Sequence, residues 1–252
     1  MIRRELATFF AALGYFTRLP VPGWVGYSPD GLARAARYLP VIGLLVGGVG
    51  ALVFWLASHF WAQPVAVVLS MVATIALTGA FHEDGLADTA DGLGGGWDKA
   101  KILVIMKDSR VGSYGVIAVV LALLGKFALL ATLPAEQVVA ALIAGHAVSR
   151  FCAVSLMAAM DYARDDETSK ARPVAARLGV GPLMFALIFA GLPLLLLLPP
   201  EQALSAVALA VLATLWLAAK CRRWLGGYTG DCLGAVQQLA EIAFYLGLAA
   251  HL

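Results

Sequence analysis

Residues 39–60 read LPVIGLLVGGVGALVFWLASHF, twenty-two positions without a single Asp, Glu, Lys or Arg. At about 1.5 Å of rise per residue, some 20 helical residues cross a hydrocarbon core of roughly 30 Å. Six further apolar stretches have the length of a span or come near it: 64–81, 113–133, 136–160, 178–198, 203–219 and 232–252. The stretch 203–219 is near the lower limit, and Pro193 is expected to bend the span at 178–198. Composition agrees, with 61% hydrophobic residues, 13% charged and a mean hydropathy of +0.85. A soluble domain is about half apolar and about a quarter charged, so the excess must face something other than water. The expected fold is all-α, a polytopic transmembrane helical bundle of about seven spans. No Ser-, Pro- or Gly-rich linker divides the chain, so residues 1–252 read as a single integral-membrane domain.

Ahead of the first span, Leu6, Phe9, Phe10 and Leu13 follow helical spacing over a stretch too short to cross. Residues 6–16 therefore read as a short N-terminal interfacial helix. Arg3 and Arg4 before an apolar run also suit a signal peptide, but Thr17-Arg18-Leu19-Pro20 follows instead of a small-residue cleavage site. Lys and Arg then set the direction. Sixteen of the eighteen fall on alternate connections: before the first span, between the second and third, between the fourth and fifth, and between the sixth and seventh. Only Lys126 and Arg150 lie inside spans. The N-terminus is thus expected inside and the C-terminus outside. The net charge of +2 is too balanced to argue for nucleic acid. Cys152, Cys221 and Cys232 have no metal-ligand spacing and read as reduced packing residues.

The chemistry concentrates in FHEDGLADTADGLGGGWDKAKILVIMKDSRVGSYG, residues 81–115. Glu83, Asp84, Asp88 and Asp91 place four carboxylates within nine residues. If the second span continues as a helix past Phe81, Asp84, Asp88 and Asp91 sit at i, i+4 and i+7, on one face. No Lys or Arg occurs between Arg37 and Lys99 to neutralise them. A divalent cation removes the conflict, and an all-oxygen ligand set suits Mg2+ or Mn2+. Gly92, Gly94, Gly95 and Gly96 then suggest a flexible turn whose amides approach a ligand. Lys107, Ser109 and Arg110 supply phosphate donors, Asp108 a further carboxylate, and Gly112, Ser113 and Gly115 open a helix N-terminus that favours an anion. Carboxylates beside phosphate donors point to metal-assisted phosphoryl or nucleotidyl chemistry.

HEDGLADTADGLGGG (82–96) with MKDSRVGSYG (106–115) resembles the cobalamin synthase family, the adenosylcobinamide-GDP ribazoletransferases. FFAALGYFTRLPVP (9–22) and GGYTGDCLGAVQQLAE (226–241) look like the same family, so the resemblance runs from the N-terminus to the last span. It implies a Mg2+-dependent transferase at the membrane. Adenosylcobinamide-GDP is joined to α-ribazole or α-ribazole 5′-phosphate, and GMP leaves. On that reading Asp84, Asp88, Asp91 and Glu83 hold the metal, Asp91 or Asp108 accepts the proton of the ribose 3′-hydroxyl, and Lys107 and Arg110 steady phosphate oxygens. A homo-oligomer is left open.

Two other readings compete. A CDP-alcohol phosphotransferase also carries aspartates at the cytoplasmic end of a span, but here the spacing is Asp84-x3-Asp88-x2-Asp91 and Ala90 is followed by Asp91 rather than Arg. A transporter should place ionisable groups deep in several spans, and only Lys126, His146, Arg150 and Glu241 qualify. Lys126 reads as a snorkelling side chain. His146 and Arg150 share a face, with pairing and substrate binding both open. Asp231, Gly234, Gln238 and Glu241 form a stripe on the last span, either interhelical glue or a second wall of the site. Asp165, Asp166 and Glu167 read as a solvated loop, although Lys170 and Arg172 nearby could meet nucleotide phosphates.

Overall fold

The computed structural model describes residues 2–26, 34–164 and 178–250. Asp165, Asp166, Glu167, Lys170 and Arg172 lie outside the described residues. Among those described there are ten α-helices and no strand beyond one isolated bridge between Tyr162 and Tyr228. In chain order they are α1 (Ile2–Phe16), a 3₁₀ turn (Ala36–Tyr38) running into α2 (Leu39–Ser58), α3 (Gln63–Thr78), α4 (Phe81–Gly95), α5 (Lys99–Ile105), α6 (Ser113–Thr132), α7 (Ala135–Ala159), α8 (Val180–Leu197), α9 (Pro200–Leu225) and α10 (Gly230–Ala249).

Among the described residues six helices are long and apolar enough to cross a membrane: α2 with its leading turn, α6, α7, α8, α9 and α10. The pair α3 and α4 makes a seventh candidate, bent by 86° at the break between them. The chain is a polytopic helical bundle. Its outward faces carry apolar side chains that no neighbour covers, among them Leu121 at 64% exposure, Leu195 at 84% and Leu212 at 60%. In water such a belt would far exceed the few hundred Å² a monomer tolerates; in hydrocarbon it costs nothing.

Helices α7 and α10 sit at the centre, where most of their residues are buried. They also hold a cluster of buried polar side chains, His146, Ser149, Arg150, Gln237, Gln238 and Glu241. A polar group facing lipid has no partner, so the least apolar spans are drawn inward. Close approach needs small residues. Gly43 and Gly47 of α2 lie against the α7 backbone at His146 and Leu142, where any side chain would collide. Pro193 stays inside α8. Helix α9 extends beyond the apolar stretch 203–219 at both ends, because Pro200 starts it and Gly226 ends it at φ +74°.

One break positions the site. Gly79 and Ala80 both adopt left-handed backbone, at φ +67° and +57°. For Ala80 this costs about 1–2 kcal/mol. The turn is held from outside the pair, since the Arg18 amide donates to the Leu77 carbonyl at 2.7 Å. Helix α4 therefore leaves α3 almost at right angles and packs against α10 and α6, carrying its carboxylates beyond the end of the apolar stretch 64–81.

Candidate active site

The expected continuous helix through the second span is a bent one, but residues 81–95 remain helical, so Asp84, Asp88 and Asp91 keep their spacing. Their carboxylates nevertheless part. Asp84 and Asp88 line a cleft of about 780 Å³ together with Lys107, Asp108, Ser109, Arg164 and Asp231. Tyr15 and Phe81 form its apolar side. Asp91 faces the other way. Its oxygens accept the amides of Gly112 at 2.7 Å and Gly115 at 2.8 Å, and the residue is 8% exposed. It caps α6 with a charge where the helix dipole favours one. The glycines explain themselves here: a side chain at either position would occupy the space of the Asp91 carboxylate.

The glycine-rich stretch also differs from its expected role. Gly92, Gly94 and Gly95 are helical and Gly96 ends the helix. A methyl at Gly92 would meet Met106, and one at Gly94 would meet the Tyr114 ring at 2.6 Å. These glycines let α4 pack closely on its neighbours instead of forming a loose phosphate-binding turn. Ser113 opens α6 on the surface.

Around the cleft the charges are arranged in pairs. Arg164 donates to Asp231 at 2.8 Å, and the side chain of Thr229 caps α10. Arg110 turns back on Asp108, with Nε and Nη2 at 3.1 and 2.8 Å from its two oxygens and its own amide at 3.0 Å. These hydrogen bonds hold the Asp108 carboxyl down at about 2. Asp88 goes the opposite way. Burial first, then the carboxylates of Asp231 and Asp84, push it up to about 7 against the pull of Arg164. A cation would relieve the part of this that comes from the neighbouring carboxylates.

Among the described residues no three His, Cys, Asp or Glu side chains form a ready metal cage. That does not disqualify Mg2+, which binds through one or two carboxylates and keeps waters and substrate phosphates for the rest. Asp84 and Asp88 fit on donor chemistry and on the crowding of carboxylates in one cleft.

Glu83 belongs elsewhere. It turns into the bundle, where Gln238 donates to its Oε1 at 3.0 Å. Gln238 also donates to Gln237 at 2.8 Å, and Gln237 to Glu241 and to Ser149. Glu241 is 2% exposed and faces Lys126 Nζ at 2.9 Å and His146 Nδ1 at 3.3 Å, with the Tyr245 hydroxyl donating at 3.2 Å. Arg150 donates to the His146 carbonyl at 3.0 Å. Lys126 is thus no snorkelling residue: it is 6% exposed and ion-paired. The stripe on α10 divides accordingly. Asp231 faces the cleft, while Gln238 and Glu241 knit α4, α6, α7 and α10 together.

Similarity to known proteins follows the whole length of this arrangement. The family model described as cobalamin-5-phosphate synthase matches residues 8–249. The chain belongs to that family. Curated relatives named adenosylcobinamide-GDP ribazoletransferase include one from Shewanella oneidensis, 48% identical over 97% of this chain and 94% of the relative. One from Leptothrix cholodnii is 48% identical over 98% and 96%, and one from Shewanella woodyi 47% identical over 98% and 97%. No solved structure matches the chain. For this member of the cobalamin-5-phosphate synthase family, the tertiary structure adds three cleft residues that sequence reasoning passed over. Arg164 belongs to the basic connection between the fourth and fifth spans, where nothing local marks it for the cleft. Tyr15 lies in the family-like stretch 9–22, and Phe81 opens the stretch 81–115. Cys152, Cys221 and Cys232 are free and buried, as their spacing suggested.

Proposed function

We propose that this protein transfers the cobinamide phosphate of adenosylcobinamide-GDP to α-ribazole or its 5′-phosphate, with release of GMP, at the cytoplasmic face of the inner membrane. The observation that carries the reading is the juxtaposition of Asp84 and Asp88 with Lys107 and Arg164 in one cleft, in a chain whose relatives bear that enzyme's name. Mg2+, held by Asp84 and Asp88, would neutralise charge on the diphosphate and on the departing GMP. Lys107 and Arg164 bind phosphate oxygens and hold the diphosphate in line with the acceptor. The ribose 3′-hydroxyl oxygen of α-ribazole forms a bond to the cobinamide-side phosphorus as the bond to the GMP oxygen breaks. The hydroxyl proton passes to a cleft carboxylate. Asp91 is poorly placed for that duty because both its oxygens already accept amide hydrogens. Asp108, held near 2 by Arg110, is a weak base.

The alternation of basic connections supports a cytoplasmic cleft, since Lys107 and Arg164 both belong to the basic set. Purified protein incubated with adenosylcobinamide-GDP, α-ribazole and Mg2+ should yield GMP and the joined corrinoid by mass analysis. Asp84→Asn and Asp88→Asn should each lower turnover at least a hundredfold, as expected when a charge-stabilising group is lost. Wild-type turnover in either folded variant at saturating Mg2+ would remove the metal assignment.

A further inference from the structure

Inside the bundle, α4, α6, α7 and α10 border a cavity of about 20 Å³ whose wall includes Glu83, Lys126, His146, Arg150, Gln238 and Glu241. Most of the polar groups there satisfy one another, but three atoms are left over. Among the described residues, Glu83 Oε2, Arg150 Nε and Gln238 Oε1 are buried without a hydrogen-bond partner. They come from three different helices, α4, α7 and α10. What the rest of each side chain does explains which atom is spare. Both amide hydrogens of Gln238 are spent, on Glu83 Oε1 at 3.0 Å and on Gln237 Oε1 at 2.8 Å, so its oxygen remains. Those same bonds use one Glu83 oxygen and leave the other. Arg150 commits Nη1 to the His146 carbonyl at 3.0 Å and keeps Nε–H. Left dry, each of the three groups would lose its hydration with nothing in return, and two of them are charged.

We propose that this cavity is a binding site for one structural water molecule, which donates to Glu83 Oε2 and Gln238 Oε1 and accepts from Arg150 Nε. The size suits it, since about 10–15 Å³ of such space holds a water. The chemistry suits it as well: two acceptors and one donor complement the two hydrogens and a lone pair of water, and about three hydrogen bonds is what a buried water usually makes. An ion fits less well. With the histidines neutral, Glu83 and Glu241 balance Lys126 and Arg150 around the cavity. A cation would gain the two oxygens but meet the Arg150 guanidinium, and an anion would gain Nε–H but meet the Glu83 carboxylate. Bound there, the water ties α4 to α7 and α10 through the residue next to Asp84. The site thus positions the helix that carries the cleft carboxylates, whatever group the cleft transfers.

The test uses crystals of purified wild-type protein grown with Rb+ as the monovalent cation. The expected result is one density peak at about 2.7–3.2 Å from all three atoms, without an Rb+ anomalous signal. An Rb+ signal at that place would make the site a cation site and overturn the proposal. So would a map in which the three atoms have turned to other partners with no peak between them. Gln238→Met keeps the side-chain length and withdraws one acceptor. In that variant the peak should vanish, and amide exchange over residues 82–88 should speed up about tenfold while α8 and α9 stay within about twofold of wild type. A peak that persists in Gln238→Met, or exchange that rises equally in every helix, would count against the water and against its hold on α4. The wild-type map decides the site even if the variant does not fold.

Discussion

Asp91 illustrates how far a residue's neighbours in sequence can mislead about its work. It stands three positions from Asp88 on the same helix, yet its carboxylate serves the amides of Gly112 and Gly115 while Asp88 faces the cleft. Removing it strands two amides at the start of α6. Asp91→Ala should therefore lower stability by about 2–3 kcal/mol, read as a drop in the denaturation midpoint. Folded Asp91→Asn, which keeps one acceptor, should bind Mg2+ within twofold of wild type; loss of Mg2+ binding there would return Asp91 to the metal. Asp88 carries the opposite expectation. Its carboxyl, ordinarily near 3.8, is raised to about 7, so the folded protein holds that proton more tightly than the unfolded chain. The stability this lends the metal-free protein is complete below pH 3.8 and is lost as pH rises through about 7. Mg2+ needs the ionised form, so its affinity should increase about tenfold between pH 6 and pH 8 and then level off. Calorimetric titration measures this, and a flat profile would mean that Asp88 does not bind the ion.

Among the helices, α4 owes its position to a two-residue reversal. Nothing in the apolar stretch 64–81 announces a turn except Gly79, and the chain could continue straight through it at modest cost. What prevents this is the packing of α4 on α10, where Gly85 and Gly234 approach closely, a methyl on Gly85 meeting the Asp231 backbone at 2.8 Å. Ala80 accepts a left-handed conformation as a result. Ala80→Gly should relieve that strain and raise stability by about 0.5–1 kcal/mol, the gain in backbone freedom of the unfolded chain offsetting part of it. Thermal unfolding in detergent is the measurement, and a destabilised Ala80→Gly protein would show that the reversal is not strained.

For the molecule as a whole, the central fact is that polar side chains occupy the inside and apolar ones the outside at mid-bundle depth. Glu241, Lys126, His146 and Arg150 satisfy one another across α6, α7 and α10, leaving lipid-facing surfaces such as those around Leu121 and Leu195 free of charge. Bilayer orientation then rests on the connections. Single cysteines near Lys99 should react with membrane-impermeant reagent only from the cytoplasmic side. Those near Gln63, Glu136 and Glu201 should react from the opposite side. Labelling near Lys99 from outside would reverse the orientation and place the cleft on the wrong face for its nucleotide substrate.

Spans, their number to within the one that is bent, and the chemical character of the cleft were all readable from the amino-acid order. Each depends on something local: twenty apolar residues suffice to cross hydrocarbon, and four unneutralised carboxylates within nine residues demand company wherever they fold. Motif spacing likewise singled out Asp84, Asp88, Lys107, Asp108, Ser109 and Asp231, which do line one cleft. Tertiary structure alone decided how the carboxylates divide, with Asp84 and Asp88 to the cleft, Asp91 to the α6 amides and Glu83 to Gln238. It alone matched Lys126 to Glu241 across 115 positions of sequence and brought Arg164 to Asp231. The reason is the same in each case. A side chain's direction around its helix follows from spacing, but the partner it meets there depends on which helix docks against that face, and docking is set by the bundle as a whole.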